Sequence, residues 1–237
     1  MPNGSPAAPH FVAGATGYVG RAVVAALGPR AVAHVRPDSP ALGSWRDRFG
    51  ALGAAVDATP WDEDAMAATL ARVRPAAVYA LLGTTRRRGA ASGDTYEGVD
   101  YGLTALLYRA AARAAAAGGA APRFVYLSAL GADARSRSAY LAVRGRLEAE
   151  LRAGPLPWTV VRPSFITGPD RGESRPMERL GAAVTDDLAA VAGALGARRL
   201  ADRYRSITGP ALAGALVRLA EDPAAAGRVV EADALRG

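Results

Sequence analysis

The stretch Phe11-Val12-Ala13-Gly14-Ala15-Thr16-Gly17-Tyr18-Val19-Gly20 decides the fold of this chain. A short apolar run ends in three glycines with the spacing G-x-x-G-x-x-G, and a helical pattern of apolar residues begins at Val19. Strand, glycine turn and helix in this order are typical of a site that holds a pyrophosphate on a helix N-terminus. The spacing differs from G-x-G-x-x-G, so an ordinary glycine turn stays open as an alternative for this stretch alone.

Composition narrows the class of protein. The length of 237 residues suits one α/β domain, so we expect residues 1–237 to form a single domain. No apolar run approaches the ~20 residues of a membrane span, and residues 1–9 lack the basic start and apolar core of a signal peptide. A cytoplasmic protein is therefore expected. The absence of cysteine excludes disulfides, thiolate metal sites and a cysteine nucleophile.

The charge of the chain comes from arginine alone. All 29 basic side chains are arginine, and the formal net charge is +7. Without lysine, neither a lysine Schiff base nor a lysine general base can form. The positive charge suits an anionic ligand such as a phosphorylated cofactor, but it also follows from an arginine-rich composition. The run Arg86-Arg87-Arg88 predicts a solvated loop, so a nucleic-acid partner, supported by charge alone, is not expected.

Strands and helices alternate along the chain after the glycine turn. The later predicted strands cover residues 31–35, 54–56, 77–82, 123–127, 158–162 and 228–231. This alternation predicts an α/β fold with a doubly wound parallel Rossmann sheet of about seven strands in the order 3-2-1-4-5-6-7. Helices are expected on both faces, one of them over residues 95–117. Residues 165–205 are predicted to form a reduced, C-terminal substrate or lid region.

Two side chains after the second and third strands indicate which cofactor fits. Arg36 follows the second strand, where an arginine accommodates a ribose 2′-phosphate and a carboxylate would bind the 2′-hydroxyl. Arg36 therefore favours NADP(H) over NAD(H), with an ordinary solvated arginine as the alternative. Asp57 follows the third strand, where its carboxylate accepts from the adenine amino group or shapes a turn.

A second group of polar residues lies after the fifth strand. Ser128 follows this strand directly, and Tyr140 and Arg144 are one turn apart on the next helix. A cation beside Tyr140 stabilises its phenolate, which then exchanges a proton with a substrate oxygen. Taken singly, a core tyrosine, a surface arginine and a turn serine remain alternatives. His10 and His34 lie at the start of the first strand and within the second, and we interpret both as structural, with no metal site.

These motifs resemble the short-chain dehydrogenase/reductase superfamily, and in particular its atypical members similar to the Tat-interacting-protein-like NAD(P)H-binding proteins. The motifs that carry the resemblance are Gly14-Ala15-Thr16-Gly17-Tyr18-Val19-Gly20, Leu82-Gly83-Thr84-Thr85-Arg86, Val99-Asp100-Tyr101, Leu127-Ser128, Gly131-Ala132-Asp133, Tyr140-Leu141-Ala142-Val143, Val161-Arg162-Pro163 and Glu173-Ser174-Arg175-Pro176. They follow one another at compatible spacing from about Phe11 to Pro176.

The resemblance implies a Rossmann sheet with NADP(H) along its carboxyl edge. The residues it places around this cofactor are Gly14, Ala15, Thr16, Gly17, Tyr18, Val19, Arg36, Asp57, Leu82, Gly83, Thr84, Tyr140, Arg144, Pro163, Ser164 and Ile166. It further implies Tyr140 as the acid/base and Ser128 as its helper. The chain departs from the superfamily at two positions, since Arg144 replaces the lysine of Tyr-x-x-x-Lys and Asp100 replaces an asparagine.

The predicted function is that of an NADPH-dependent oxidoreductase acting on a small carbonyl or alcohol. Tyr140 would be the proton donor, Ser128 a hydrogen-bond donor to the substrate oxygen, and Arg144 the cation that positions the ribose. The alternative is a non-enzymatic NADPH-binding regulator or redox sensor that binds a protein partner. Replacement of lysine by Arg144 and the short substrate region support that alternative.

Overall fold

The parallel sheet at the centre of this computed structural model confirms the predicted fold class. The structure describes residues 8–83, 95–168, 206–232 and 234–236. Seven strands pair in the order β3-β2-β1-β4-β5-β6-β9, all parallel. They are β1 (His10–Ala13), β2 (Ala31–His34), β3 (Ala55–Asp57), β4 (Ala77–Ala80), β5 (Arg123–Leu127), β6 (Trp158–Arg162) and β9 (Arg228–Glu231). The C-terminal strand is therefore the seventh, as predicted.

A two-stranded parallel ribbon lies apart from this sheet. It consists of β7 (Ile166–Thr167) and β8 (Ile207–Thr208), with Ile166 opposite Ile207 and Thr167 opposite Thr208. The ribbon joins the chain that follows β6 to the chain that precedes the last helix. Most of the predicted substrate region, residues 169–205, is outside the described residues, as are Thr84, the run Arg86-Arg87-Arg88 and the motif Glu173-Ser174-Arg175-Pro176.

Helices cover both faces of the seven-stranded sheet. They are α1 (Tyr18–Leu27), α2 (Leu42–Gly50), α3 (Glu63–Val73), α4 (Thr104–Ala116), α5 (Ala139–Ala153) and α6 (Gly209–Glu221), with short 3₁₀ turns at Gly28–Arg30, Pro223–Ala225 and Ala234–Arg236. Successive side chains of a strand point to opposite faces, so Val12 packs with α1 and α6 whereas Phe11 packs with α3 and α4. No helix among the described residues has the length and apolar character that crossing a membrane requires.

Side-chain caps start three of these helices. Asp62 accepts from the Ala65 N–H ahead of α3, and Ser138 and Thr208 do the same for α5 and α6. The long helix expected over residues 95–117 begins differently, because Tyr96–Leu103 winds as a π-helix before α4 starts. This wider winding places Asp100 in the interior, where it is fully buried.

Candidate active site at the carboxyl edge of the sheet

The glycine turn between β1 and α1 depends on close backbone contacts. Gly14 has φ of +80°, and a Cβ there would lie 2.6 Å from the Leu81 carbonyl oxygen. A Cβ on Gly20 would overlap the Gly14 carbonyl oxygen, so α1 can approach the turn only without a side chain there. The Gly17 N–H donates to the same Gly14 oxygen at 3.0 Å. The turn is therefore fixed by backbone packing on both sides.

The N-terminus of α1 is open to an anion. Its N-cap, Gly17, is exposed and provides no side-chain cap, and the first turn contains no acidic residue. The first N–H groups of a helix have no partner within the helix and attract negative charge. Ala15 and Val19 are buried and Thr16 is half-buried, so the backbone forms the surface here. This arrangement fits the pyrophosphate predicted from the sequence.

The side chain of Tyr18 leaves the turn and contacts the β7–β8 ribbon. Its hydroxyl donates to the Thr167 carbonyl oxygen at 3.1 Å. Its ring lies against Gly168 and Gly209, where a Cβ on either glycine would meet the ring atoms. The sequence suggests only a cofactor role for Tyr18, because contacts with residues 149 positions away leave no local pattern.

Arg36 and Asp57, the two residues predicted to bind the adenosine end of the cofactor, differ in how strongly protein contacts hold their side chains. The Arg36 side chain is 59% exposed at the end of β2, with the Asp38 carboxylate 3.8 Å away. The Asp57 carboxylate instead accepts from the N–H and the hydroxyl of Thr59, each at 3.0 Å. Asp57 thus shapes the turn after β3, which was the alternative considered from the sequence. Arg36 has the exposure that binding a phosphate requires.

Both histidines are buried beside hydrogen-bond partners. His10 Nδ1 lies 3.1 Å from the Tyr79 hydroxyl, and His34 Nε2 donates to the Thr59 carbonyl oxygen at 2.8 Å. The His34 ring also meets the edge of Trp61, with ring centroids 4.7 Å apart. Burial is the main cause that lowers the pKa of each histidine. The described residues contain no group of three side chains suited to a metal ion.

Arg144 occupies a buried position among three acceptors. Its guanidinium donates to the Leu127 carbonyl, to the Leu82 carbonyl at 3.3 Å and to Asp100 Oδ1 at 2.6 Å. Burial alone would lower the pKa of Arg144, but nearby Tyr140, Tyr126 and Asp100 raise it above its ordinary value. The guanidinium is therefore a fixed positive charge beneath the backbone that follows β4.

Gly83 makes this position available. A Cβ on Gly83 would lie 2.9 Å from Arg144 Nη2 and 3.5 Å from Asp100 Oδ1. Any larger residue would press on the buried Arg144–Asp100 pair. Leu82 is half-buried and Gly83 is exposed, so this segment has one side on Arg144 and the other toward solvent. The missing side chain at Gly83 therefore accommodates the Arg144 guanidinium.

Tyr140 is next to this charge. The Arg144 guanidinium carbon lies 5.1 Å from the centroid of the Tyr140 ring. The Tyr96 ring packs at an angle against Tyr140, with the two ring centroids 5.4 Å apart. Tyr140 is half-buried, and no described residue forms a hydrogen bond with its hydroxyl. The predicted pairing of Tyr140 with a cation one helical turn away is therefore present as geometry, while its role in a reaction stays a prediction.

Ser128 belongs to a buried charged network that the sequence did not reveal. Its hydroxyl donates to Glu148 Oε1 at 2.6 Å. Arg162 donates to both oxygens of Glu148, at 2.9 and 2.7 Å, and Arg152 adds a contact at 2.8 Å. The hydrogen bond from Arg162 to Glu148 is the main cause that raises the pKa of Arg162. The signal available in the sequence was the spacing of Glu148, one turn after Arg144 on the same helix.

The last predicted cofactor residues follow β6. Pro163 is buried, and its carbonyl accepts from the Leu130 N–H at 3.2 Å. Ser164 is half-buried, and Ile166 begins the β7–β8 ribbon. The Ser128 N–H donates to the Val161 carbonyl at 2.8 Å. These contacts hold the chain after β6 beside the chain after β5. The role of Pro163, Ser164 and Ile166 in binding the nicotinamide stays a prediction.

The chain is similar in sequence to known proteins. A family model described as NAD(P)H-binding matches residues 14–195. The chain is 30% identical to protein fmp52, mitochondrial, of Aspergillus niger over 173 residues, which are 70% of this chain and 69% of that protein. It is 40% identical to protein FMP52-1, mitochondrial, of Scheffersomyces stipitis over 93 residues, but this match spans only 39% of the chain and 38% of that relative.

Solved structures have the same fold. A candidate NAD-dependent epimerase/dehydratase from Bacillus halodurans has a TM-score of 0.64 at 18% identity, covering 96% of this chain and 98% of the other. A nucleoside-diphosphate-sugar epimerase from Staphylococcus aureus has a TM-score of 0.57 at 16% identity, covering 94% and 70%. At these identities the likeness concerns the fold.

Proposed function

This chain belongs to the NAD(P)H-binding family, within the atypical short-chain dehydrogenase/reductase superfamily, and on that premise we propose that it is an NADPH-dependent oxidoreductase. Its substrate would be a small carbonyl or alcohol. The observation that carries the proposal is the Tyr140 ring 5.1 Å from the buried Arg144 guanidinium, on the helix that follows Ser128. A tyrosine beside a fixed cation suits proton exchange with a substrate oxygen.

The residues of the carboxyl edge fit a dinucleotide. Gly14, Gly17 and the first turn of α1 would hold the pyrophosphate, since their backbone is open and no carboxylate opposes it. The exposed Arg36 would bind a 2′-phosphate, which supports NADP(H) over NAD(H). Leu82 and Gly83 would flank the ribose, and Pro163, Ser164 and Ile166 would form the nicotinamide wall. When bound, the cofactor supplies or accepts a hydride.

Arg144 would act mainly by position and charge. Three protein acceptors already hold its guanidinium, so it would support the Leu82–Gly83 backbone and place a fixed positive charge beside the Tyr140 ring. Donation to the nicotinamide ribose would fall to an N–H that these acceptors do not use. Asp100 balances the buried charge and keeps the guanidinium in place.

Ser128 would help Tyr140 as a hydrogen-bond donor to the substrate oxygen. Its proton points to Glu148, so the hydroxyl would have to release this carboxylate before it donates to the substrate. The Glu148 carboxylate would then keep its contacts with Arg162 and Arg152. This rearrangement would be needed in both directions of the reaction, because the one proton of a substrate alcohol would go to Tyr140.

The same contacts favour a second candidate function, a non-enzymatic NADPH-binding regulator or redox sensor with a protein partner. Both polar helpers of Tyr140, namely Ser128 and Arg144, are committed to protein acceptors. A cytoplasmic location also stays a prediction, because the two curated relatives are named as mitochondrial proteins.

Turnover separates the two functions. We expect the protein to oxidise NADPH with a member of a panel of small aldehydes and ketones, or to reduce NADP⁺ with an alcohol. Tyr140→Phe should lower kcat about 100- to 10,000-fold with an unchanged NADPH dissociation constant. Tyr96→Phe, which keeps the ring beside Tyr140, is the matched control.

No turnover across the panel despite tight NADPH binding would reject the enzyme. The regulator would then require that NADPH change the amount of a partner protein retained on the immobilised chain. Equal retention with and without NADPH would reject the regulator as well.

A further inference from the structure

The side chain of Tyr18 connects two parts of the molecule that are distant in sequence. Its backbone begins α1 at the end of the glycine turn, whereas its hydroxyl donates to the Thr167 carbonyl oxygen in β7 at 3.1 Å. Tyr18 therefore belongs to the turn by its backbone and to the ribbon by its ring.

Two glycines in the ribbon region create the space for this ring. Gly168 follows β7, and a Cβ on it would overlap the Tyr18 hydroxyl oxygen. Gly209 follows β8, and a Cβ on it would lie 2.5 Å from Tyr18 Cε1. Both strands of the ribbon thus end against the same ring. Such close packing on either side means that the ring and the two strand ends move together.

The contacts continue from the ribbon back to α1. Thr167 pairs with Thr208, and the Thr208 hydroxyl caps α6 by accepting from the Ala211 N–H at 3.4 Å. The α6 helix in turn packs on α1 through the core that contains Leu212 and Val23. Contacts therefore run from the glycine turn through Tyr18 to the ribbon, and from the ribbon through α6 back to α1.

We infer that Tyr18 is a positioning residue that transmits occupation of the glycine turn to the β7–β8 ribbon. A pyrophosphate bound at the N-terminus of α1 fixes the Tyr18 backbone, and the direction of a helical side chain follows its backbone. The fixed ring then orders the strand ends that pack on it. Because Ile166 of the proposed nicotinamide wall is in β7, cofactor binding at one end prepares the wall at the other. The inference rests on the proposed function for the identity of the anion.

Hydrogen exchange tests this coupling directly. Peptides covering residues 164–168 and 206–209 are followed by mass spectrometry with and without NADPH. In the wild-type protein we expect NADPH to slow exchange in both peptides about tenfold, a coupling free energy in the usual range for linked sites. Tyr18→Phe removes only the hydroxyl and should lose part of this response, and Tyr18→Leu should lose nearly all of it.

Linkage gives a second readout. Because the two effects are thermodynamically linked, Tyr18→Leu should weaken NADPH binding by the same factor by which it reduces the NADPH-dependent protection of the ribbon. The loss of affinity should therefore be no more than about tenfold. Gly168→Ala displaces the ring from the ribbon side without altering the glycine turn and should reproduce the loss. Gly214→Ala, in the body of α6, is the control and should leave the response intact.

The outcomes are distinct. NADPH binding with equal ribbon protection in the wild type and in Tyr18→Leu would overturn the inference and leave the proposed function standing. A variant that changes exchange equally with and without NADPH would show a structural role alone and would also overturn the inference. Failure of the wild-type protein to bind NADPH would overturn both.

Discussion

The glycine turn before α1 and the inner face of α5 lie at the same edge of the sheet but are built by opposite means. The turn is shaped by missing side chains, since a Cβ on Gly14 or Gly20 would strike backbone. The α5 face is shaped by charged side chains that neutralise one another, Arg144 with Asp100 and Arg162 with Glu148. The first kind of site tolerates no added atom, and the second tolerates no unpaired charge.

The largest effect is expected where a charge on α5 loses its partner. Glu148→Leu removes the main acceptor of Arg162 at a position where Glu148 is fully buried. The free energy of unfolding should therefore fall by about 3–5 kcal/mol. Urea denaturation measures the loss. The double variant Glu148→Leu/Arg162→Met should recover part of it, because an apolar pair leaves no buried charge. Glu150→Gln, two positions away and partly exposed, should change little. An additive loss in the double variant would contradict this account.

The glycine turn should respond to a single methyl group. Gly20→Ala forces a Cβ into the Gly14 carbonyl oxygen, and overpacking of this kind costs about 1–3 kcal/mol. The NADPH dissociation constant should rise as well, since the turn must shift. Gly214→Ala lies in α6, where the nearest atom to its Cβ is 3.8 Å away, and should raise stability by about 0.5–1 kcal/mol. Equal effects of the two substitutions would remove the contrast.

Arg144→Lys tests whether charge or shape matters at the α5 face. Lysine keeps the positive charge but cannot reach Asp100, Leu127 and Leu82 together as the guanidinium does. We expect a loss of about 1.5–3 kcal/mol in unfolding free energy, measured by urea denaturation, with kcat retained in the proposed reaction. Arg146→Lys, an exposed neighbour paired with Glu97, should stay within about 0.5 kcal/mol. Unchanged stability in Arg144→Lys would show that charge alone suffices.

Arg36→Ala tests whether the exposed Arg36 side chain binds the 2′-phosphate of NADPH. NADPH affinity should fall about tenfold or more while NADH affinity is unchanged, because only the 2′-phosphate would be lost as a partner. Isothermal titration with both cofactors measures the difference. Arg228→Ala is the control, since Arg228 begins β9 and is exposed at the opposite edge of the sheet. Equal losses for NADPH and NADH would refute the assigned role of Arg36.

The smallest effect concerns pH. Burial lowers the pKa of His10 and His34 in the folded state, so the unfolded chain binds more protons below its ordinary histidine pKa of about 6.5. Stability is therefore fully present above about pH 6.5 and falls as the pH drops below that value. Urea denaturation at about pH 5.5 and about pH 7.5 should show this, and His34→Gln should reduce the difference. Identical stability at both values would contradict it.

The sequence predicted the glycine turn and the strand before it well, because the signals for both are local. Glycine spacing and the apolar run of β1 lie within ten residues, and the alternation of strands and helices leads to the confirmed sheet order. The helix expected over residues 95–117 is present, but its first part, Tyr96–Leu103, winds as a π-helix before α4 begins. No local propensity predicts this winding, nor the contact that Asp100 makes with Arg144, 44 positions later.

Around the inner face of α5, the sequence identified candidate residues but not the groups that they contact. Ser128, Tyr140 and Arg144 were identified, yet the acceptor of Ser128 and the role of Gly83 depend on packing between separate elements. Asp57 shows the reverse case, because its turn with Thr59 is local and was one of the two interpretations available from the sequence. The functional roles of all these residues stay predictions.

The edge-on contact between His34 and Trp61, 4.7 Å between centroids, has a spectroscopic consequence. A protonated imidazole quenches the emission of an indole in contact with it, whereas a neutral one does so weakly. Of the three tryptophans, Trp45 instead stacks on Phe49 and Trp158 lies near Arg152. The fall of Trp61 fluorescence on acidification would therefore report the charge of His34 without a label, giving an optical record of the predicted adenosine end of the site.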